Sequence, residues 1–306
     1  MTVIVFGSLN MDLVVQSPRL PMPGETLLGS QFDTIAGGKG ANQAVAVARQ
    51  QIPTGMVGRV GADSFGNTLR QALAAEGITI DAVLTDADSH TGIAAIAVAK
   101  TGENHIIIVP GANGRVEQSD LQRLQPYLAQ AKFLLMQFEI PIPIVVEAAK
   151  AARAAGVTVI LDPAPAEKFA AAALYPLIDI LTPNQVEAAA LVGFPVNTLD
   201  QATEAIASLR QQGVAAVLIK LGEQGVLCGI AQETFHVPAF KVSVVDTVAA
   251  GDAFNGGLAV ALHDGKPLRE AVVWASATAA LSVTQPGAQP SLPTRDQVAD
   301  LLKKMG

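Results

Sequence analysis

Lys132-Phe-Leu-Leu-Met-Gln-Phe-Glu-Ile-Pro-Ile-Pro-Ile-Val-Val-Glu-Ala-Ala-Lys-Ala-Ala-Arg-Ala-Ala-Gly-Val-Thr-Val-Ile-Leu-Asp-Pro163 carries the reading on which the fold depends. An apolar run, Lys132–Met136, ends at the polar Gln137-Phe138-Glu139. Ile144–Ala155 then repeats apolar residues at helical spacing, and Val157–Leu161 is a second apolar run closed by Asp162-Pro163. Strand, helix and strand in this order require a crossover connection and hence parallel strands. Continuous rather than alternating apolar character marks strands buried on both faces.

The same rhythm extends in both directions. Val3–Phe6 ends at Gly7-Ser8-Leu9-Asn10, Ile178–Leu181 at Thr182-Pro183-Asn184, and Ala215–Lys220 at Leu221-Gly222. Glu187–Val192 and Leu199–Gln211 supply further helical patterns. The expected fold is α/β: a mostly parallel central sheet between two helical layers. Ligands in such sheets collect beyond the carboxyl ends of the strands, where these polar residues fall. Thr26–Ile35 and Gly92–Val109 break the rhythm; they read as extended segments, the second folded back at Thr101-Gly102. They predict a small β-layer outside the main sheet, acting as a lid over the site or as a plain extension of the sheet edge. One domain over residues 1–306, with the lid at about 13–35 and 91–110, is the simplest organisation.

Composition narrows the function classes. Half of the 306 residues are hydrophobic and only 4 % are aromatic, which suits Ala-rich helices packed on Val/Ile strands. Net charge is −7 with no basic stripe, so no nucleic-acid partner is expected. Apolar runs stay short of the roughly 18 residues of a membrane span, and Met1-Thr-Val-Ile-Val-Phe6 lacks the basic start of a signal peptide. A cytoplasmic location is expected. The one cysteine, Cys228, lies in an apolar run and reads as a small buried hydrophobe.

The sharpest chemical signal is Val245-Asp-Thr-Val-Ala-Ala-Gly-Asp-Ala-Phe-Asn-Gly-Gly257. Tiny residues lead into Asp252 and an apolar helix, Phe254–Leu262, leaving the N–H groups of the helix start open to an anion. Asp252, in the first turn, is placed to accept a proton from a hydroxyl beside that anion. The competing reading is a capping aspartate, a task for which Asp246 is the better candidate because it precedes the turn.

Gly37-Gly-Lys-Gly-Ala-Asn-Gln43 fails the P-loop test, which needs Gly where Asp33 stands and a hydroxyl where Gly40 stands. Lys39 and Asn42 are instead read as donors to sugar hydroxyls, although a glycine turn before a helix would look the same. Asn10 and Asp12 alternate onto one face and suit adjacent hydroxyls. Asn184 and Glu187, three apart at a helix start, suit Mg²⁺ and its waters or a plain acidic first turn. The nucleophile elbow is missed because Ala62 stands where glycine is needed, and no dinucleotide glycine pattern follows the first strand. His90, His105, His236 and His263 are scattered without metal-ligand spacing.

In this order the motifs resemble the ribokinase family of carbohydrate kinases, from residue 3 to about residue 300. Gly37–Asn42 with Gly55-Met-Val-Gly58 is similar to the family's first signature, Asp246–Gly257 to its second, and Asn184-Gln-Val-Glu187 to its Asn-x-x-Glu motif. Gly7–Asp12, Gly38–Ala44, Met136-Gln-Phe-Glu139, Asp162-Pro-Ala-Pro165 and Gly287-Ala-Gln-Pro-Ser291 are most similar to its ribose-phosphorylating members. The resemblance implies a three-layer α/β/α sandwich with a β-sheet lid and transfer of phosphate from ATP to the 5-hydroxyl of D-ribose, with Asp252 as base. It implies a pentose held by Asn10, Asp12, Gly38, Lys39, Asn42 and Glu139. ATP would be bordered by Asn184, Lys220, Gly222, Gly225 and Ser276, with an anion hole from the amides of Ala250, Gly251 and Asp252. Mg²⁺ is expected near Glu187, indirectly, and K⁺ at Asp246, Val248, Ser282, Gln285, Gly287 and Ser291. Lys220 and Ser276 depart from the family pattern, which has Thr and His there. A homodimer through the lid is also expected, since Ile93-Ala-Ala-Ile-Ala-Val98 is apolar enough to pair with a second copy. A sibling kinase acting on a nucleoside, fructose or a sugar phosphate, and a non-catalytic sugar sensor, are the alternatives.

Overall fold

The computed structural model describes residues 3–166, 173–231 and 233–305. Two sheets organise the chain. The larger has nine strands in the spatial order β13 (Thr234–Val237), β12 (Val226–Gly229), β11 (Ala216–Lys220), β10 (Ile180–Leu181), β9 (Thr158–Asp162), β8 (Phe133–Gln137), β1 (Val3–Phe6), β4 (Thr54–Gly61) and β5 (Thr79–Asp86). From β5 to β11 all neighbours run parallel, and only β12 and β13 turn back antiparallel. The smaller sheet orders as β3 (Gln31–Gly37), β2 (Asn10–Ser17), β6 (Gly92–Ala99) and β7 (Asn104–Val109).

Strand β1 shows how the layers arise. Val3 and Val5 enter one apolar cluster while Ile4 and Phe6 enter another, because successive side chains leave a strand on opposite faces. The first cluster is completed by α1 (Lys39–Ala48), α2 (Ser64–Ala75), α7 (Ala250–His263), α8 (Leu268–Ser282) and α9 (Arg295–Met305). The second draws on α3 (Gln118–Leu128), α4 (Ile142–Ala154), α5 (Gln185–Val192) and α6 (Leu199–Gln211). The expected three layers are therefore present. All four residues of β1 are fully buried, as its unbroken apolar run requires.

Helix ends follow local chemistry. Thr198 accepts from the N–H of Gln201, whose side chain answers back to Thr198, a reciprocal box that starts α6. Cys228 is fully buried, and burial pushes its thiol up to about 12. No helix among the described residues is long and apolar enough to cross a membrane.

Two differences from the sequence reading concern the small sheet. The small sheet begins before residue 13: Asn10 and Asp12 open β2, which lies between β3 and β6 with Gly37 and Gly92 opposite Asn10. The extended segment read at Thr26–Ile35 forms its strand later, at Gln31–Gly37.

Candidate active site

Parallel strands deliver their last residues to one edge of the sheet, and five of them bring chemistry there. Beyond β1 come Ser8 and Asn10, beyond β8 Glu139, at the end of β9 Asp162, beyond β10 Asn184, and at the end of β11 Lys220. Two helix starts, α1 and α7, face them.

Helix α1 starts at Gly38 because the chain passes against β2 with φ 88°, and a Cβ there would lie 2.6 Å from the backbone nitrogen of Asn10. That turn places Lys39, Asn42 and Gln43 on the site. The backbone N–H of Lys39 donates to Glu139 Oε2 at 3.2 Å, Ser8 Oγ donates to the same oxygen, and Asn10 Nδ2 lies 3.4 Å from it. Asn113 fixes the Asn10 amide, donating to its Oδ1 at 2.8 Å while accepting from the N–H of Leu9 at 2.9 Å. Asp12 stands nearby; burial, then the charges of Glu139 and Asp252, push its carboxyl up to about 7. A cavity of about 560 Å³ adjoins this cluster, lined by Asn10, Asn113, Phe138, Glu139 and, from the small sheet, Ile108.

Asp252 lies in the first turn of α7 and is 4 % exposed. Asn42 Nδ2 donates to its Oδ2 at 2.9 Å and Gln43 Nε2 to its Oδ1 at 3.1 Å. Gln43 also reaches Asp162 Oδ2 at 3.2 Å, and its own oxygen accepts from Gln137 Nε2 at 2.7 Å. Burial pushes the Asp252 carboxyl up to about 6, with Lys39 opposing the rise and Asp162 adding to it. Each Asp252 oxygen keeps a lone pair beyond the bond it accepts.

The residue before α7, Ala249, is left-handed at φ 59° with no side-chain cap. The N–H of Ala250 donates to Thr247 O at 3.3 Å, and the first full helical bond runs from Ala253 N–H to Ala249 O at 2.8 Å. The amides of Gly251 and Asp252 lie between, at positions that helix geometry leaves without intrahelical acceptors. Its chain neighbours and the backbone of α7 apart, a Cβ on Gly251 would meet, among the described residues, only the Lys220 ammonium, at 3.2 Å.

Asp162 joins the two sides. It is 1 % exposed, accepts from Lys220 Nζ at 3.0 Å and stands 3.9 Å from Lys39 Nζ. Although burial pushes the other way, these two ammonium groups hold its carboxyl below the usual range. Burial likewise opposes the charge on Lys39, yet Asp162, Asp252 and Glu139 keep its ammonium above the usual lysine range.

Of the residues expected at the site, Asn10, Asp12, Gly38, Lys39, Asn42, Glu139 and Asp252 converge, with Ala250 and Gly251 beside them. Asn42 differs in detail. Its amide nitrogen is committed to Asp252, and the buried group left without a partner among the described residues is its acceptor Oδ1. On the other flank, Gly222 and Gly225 make the turn from β11 to β12, and Asn184 sits beside Lys220 through an isolated parallel bridge. Ser276 is buried in α8 with its hydroxyl unpartnered among the described residues.

One expectation changes. Asp246 does not cap α7: its Oδ1 accepts from Val248 N–H at 3.0 Å and its Oδ2 from Gly287 N–H at 2.9 Å, tying two loops together. Glu187 is engaged in a capping box with Asn184, both of its oxygens accepting bonds from that residue at 2.7 and 2.8 Å. Burial, then Asp162, raises its carboxyl above the usual range. Of the other residues read as a K⁺ site, Ser282 and Ser291 donate their hydroxyls to Ala279 O and Ala288 O, which leaves their oxygens free to face a cation. The N–H groups of Val245 and Asp246 both donate to Val283 O, holding the 245–248 loop against the 282–291 segment; Gln285 is exposed.

Sequence reasoning passed over Gln43, Asp162, Asn113 and Ser8. Asp162 carried a usable signal, a carboxylate closing a buried parallel strand. Gln43 stood inside a motif already singled out. Nothing local marks Asn113, whose partners lie more than a hundred residues away.

Comparison with known proteins agrees with this geometry. The pfkB family carbohydrate kinase profile matches residues 2–295. Ribokinase of Haemophilus influenzae is 41% identical over 302 residues, spanning 99% of this chain and 98% of its own. The structure of Arabidopsis thaliana ribokinase complexed with ribose and ATP superposes with a TM-score of 0.91 at 38% identity, covering 99% of this chain and 98% of that one. Ribokinase from Thermotoga maritima gives 0.90 at 38% identity, with 99% of each chain covered. The chain with Asp252 at the start of α7 belongs to the pfkB family of carbohydrate kinases.

Proposed function

We propose that this chain transfers the terminal phosphoryl group of ATP to the 5-hydroxyl of D-ribose, giving ribose 5-phosphate and ADP. The observation that carries the reading is Asp252: a buried carboxylate fixed by Asn42 and Gln43 beside the free amides of a helix start. A base that titrates near 6 is ionised at neutral pH and still basic enough to take a hydroxyl proton in the transition state. Similarity to ribokinases along almost the whole chain, one of them solved with ribose and ATP, supports the sugar and the nucleotide.

Asn10, Asp12, Lys39 and Glu139 hold the sugar hydroxyls, with the Asn42 oxygen accepting from one of them and Gly38 letting the backbone approach. The 5-oxygen bonds to phosphorus as its proton passes to Asp252, and the bond from phosphorus to the ADP oxygen breaks in line with it. The Gly251 and Asp252 amides, with Ala250 at the same turn, receive charge that builds on the equatorial oxygens. ATP lies along Asn184, Lys220, Gly222, Gly225 and Ser276, and the small sheet closes over the sugar and excludes water.

Mg²⁺ bound with the nucleotide would neutralise phosphate charge, and Glu187, whose oxygens each accept a bond from Asn184, would hold it through water. K⁺ suits the carbonyl, hydroxyl and carboxylate oxygens of Asp246, Val248, Ser282, Gln285, Gly287 and Ser291, and there it would stiffen the loop that leads into α7. The exposed Phe32, Ile106 and Ile107 of the small sheet favour a homodimer through the lid.

The test is ADP release with ribose, 2-deoxyribose, fructose, adenosine and fructose 6-phosphate, in KCl and in NaCl at equal ionic strength, with and without Mg²⁺. Fastest turnover with ribose, higher in KCl and absent without Mg²⁺, is expected. Preference for another acceptor would reassign the sugar, and equal rates in the two salts would remove K⁺.

A further inference from the structure

Lys220 is paired with Asp162, yet its ammonium also lies where the dipole of α7 opposes it. Its ammonium stands 3.2 Å from the position a Cβ on Gly251 would take, against the positive end of α7. A cation there is repelled by the helix dipole and by the unbonded amides, whose partial charge has the same sign. It is 16 % exposed, so water screens little of that repulsion. Three charged groups face it from the packed elements: Asp162 from β9 at 3.0 Å, Lys39 from α1 across Asp162, and Glu187 from α5. Asp162 is shared between two lysines, and both Glu187 oxygens are bonded by Asn184. Its chain neighbours Ala250 and Asp252 and the backbone of α7 apart, the Lys220 ammonium is the one group among the described residues within 4 Å of the point a Cβ on Gly251 would take, and Gly251 puts no side chain there.

We infer that Lys220 grips the terminal phosphoryl group of the nucleotide while Asp162 tethers its ammonium in place. This deepens the kinase reading and rests on it. A phosphate seated on the Gly251 and Asp252 amides turns the repulsion into attraction, because one oxygen then bridges amide and ammonium. Asp162 performs two orienting tasks at once. It holds Lys220 on the phosphate side and Lys39 on the sugar side, so the groups that touch donor and acceptor share one buried anchor. No bond is made to Lys220 during transfer, and it donates hydrogen bonds to the moving group throughout.

The experiment measures Mg²⁺-AMP-PCP and Mg²⁺-ADP binding by calorimetry, without sugar, to the parent chain, K220M and the double variant D162N/K220M. The double variant removes both charges of the pair, so an orphaned buried carboxylate cannot mask the result. Loss of a charge-assisted bond to the terminal phosphate should weaken AMP-PCP about tenfold or more relative to ADP. Ribose affinity of K220M should stay within about threefold of the parent while turnover falls. If both nucleotides weaken together, or neither does, Lys220 serves only to neutralise Asp162 and the inference is overturned. A parent chain that binds neither nucleotide would overturn the kinase reading itself.

Discussion

Asp252, the proposed base, owes its basicity to its surroundings rather than to its type. Burial alone would leave it protonated and useless at neutral pH, while full solvation would leave it too weak to attract a proton from an alcohol. Donated bonds from Asn42 and Gln43, and the charge of Lys39, pull against desolvation and leave the group near 6. Asp12, near 7, is the second acidic group of the same pocket. Both carboxyls are raised, so the ionised forms are lost as pH falls through these values. The expected kcat/KM for ribose therefore declines on the acid side between about 7 and 6, as one limb belonging to the coupled pair. D12N should narrow that limb to its lower part. A rate constant flat down to about pH 4 would mean that neither carboxylate titrates where its surroundings put it.

At the scale of elements, the site depends on how closely α1 crosses α7. Asn42 and Gln43 reach Asp252 because a glycine lets the helices touch: a Cβ on Gly256 would lie 2.4 Å from the Cβ of Ala46. Gly256→Ala should overpack this crossing and cost about 1–3 kcal/mol of stability, read as a lower midpoint in urea. It should also lower turnover by moving Asp252 off its two donors; unchanged stability would mean the crossing is not tight. This crossing explains what could be read beforehand. Buried strands and their helices announce themselves through continuous apolar runs and helical spacing, so β1, β8, β9, β11 and α6 were legible from local pattern. The run of small residues before Asp252 pointed to that carboxylate, whereas the Gly38 segment read equally well as a plain glycine turn before a helix. Asn113 was not legible, and Gln43 was legible only as part of its motif, since their contacts span 104 and 209 residues of sequence. Asp246 was misjudged as a cap because nothing local tells that Gly287 would claim its second oxygen.

For the whole molecule, the large sheet carries Asp162 and Lys220 at its strand ends, and the small one carries Asn10 and Asp12 on β2. Its outer strand β7 leaves Ile106, Ile107 and Ile108 between 43 and 68 % exposed, a row suited to pairing with a second copy. Light scattering should return twice the chain mass, and Ile107→Glu should return the single mass. The account as a whole stands on Asp252 acting as the base, and the direct measurement is Asp252→Asn. The amide keeps the size of the side chain but not its proton affinity. Ribose binding by calorimetry should remain within a few-fold of the parent, while ribose-dependent ADP release falls by about 10²–10⁴. Turnover close to the parent's, with ribose still bound, would contradict it.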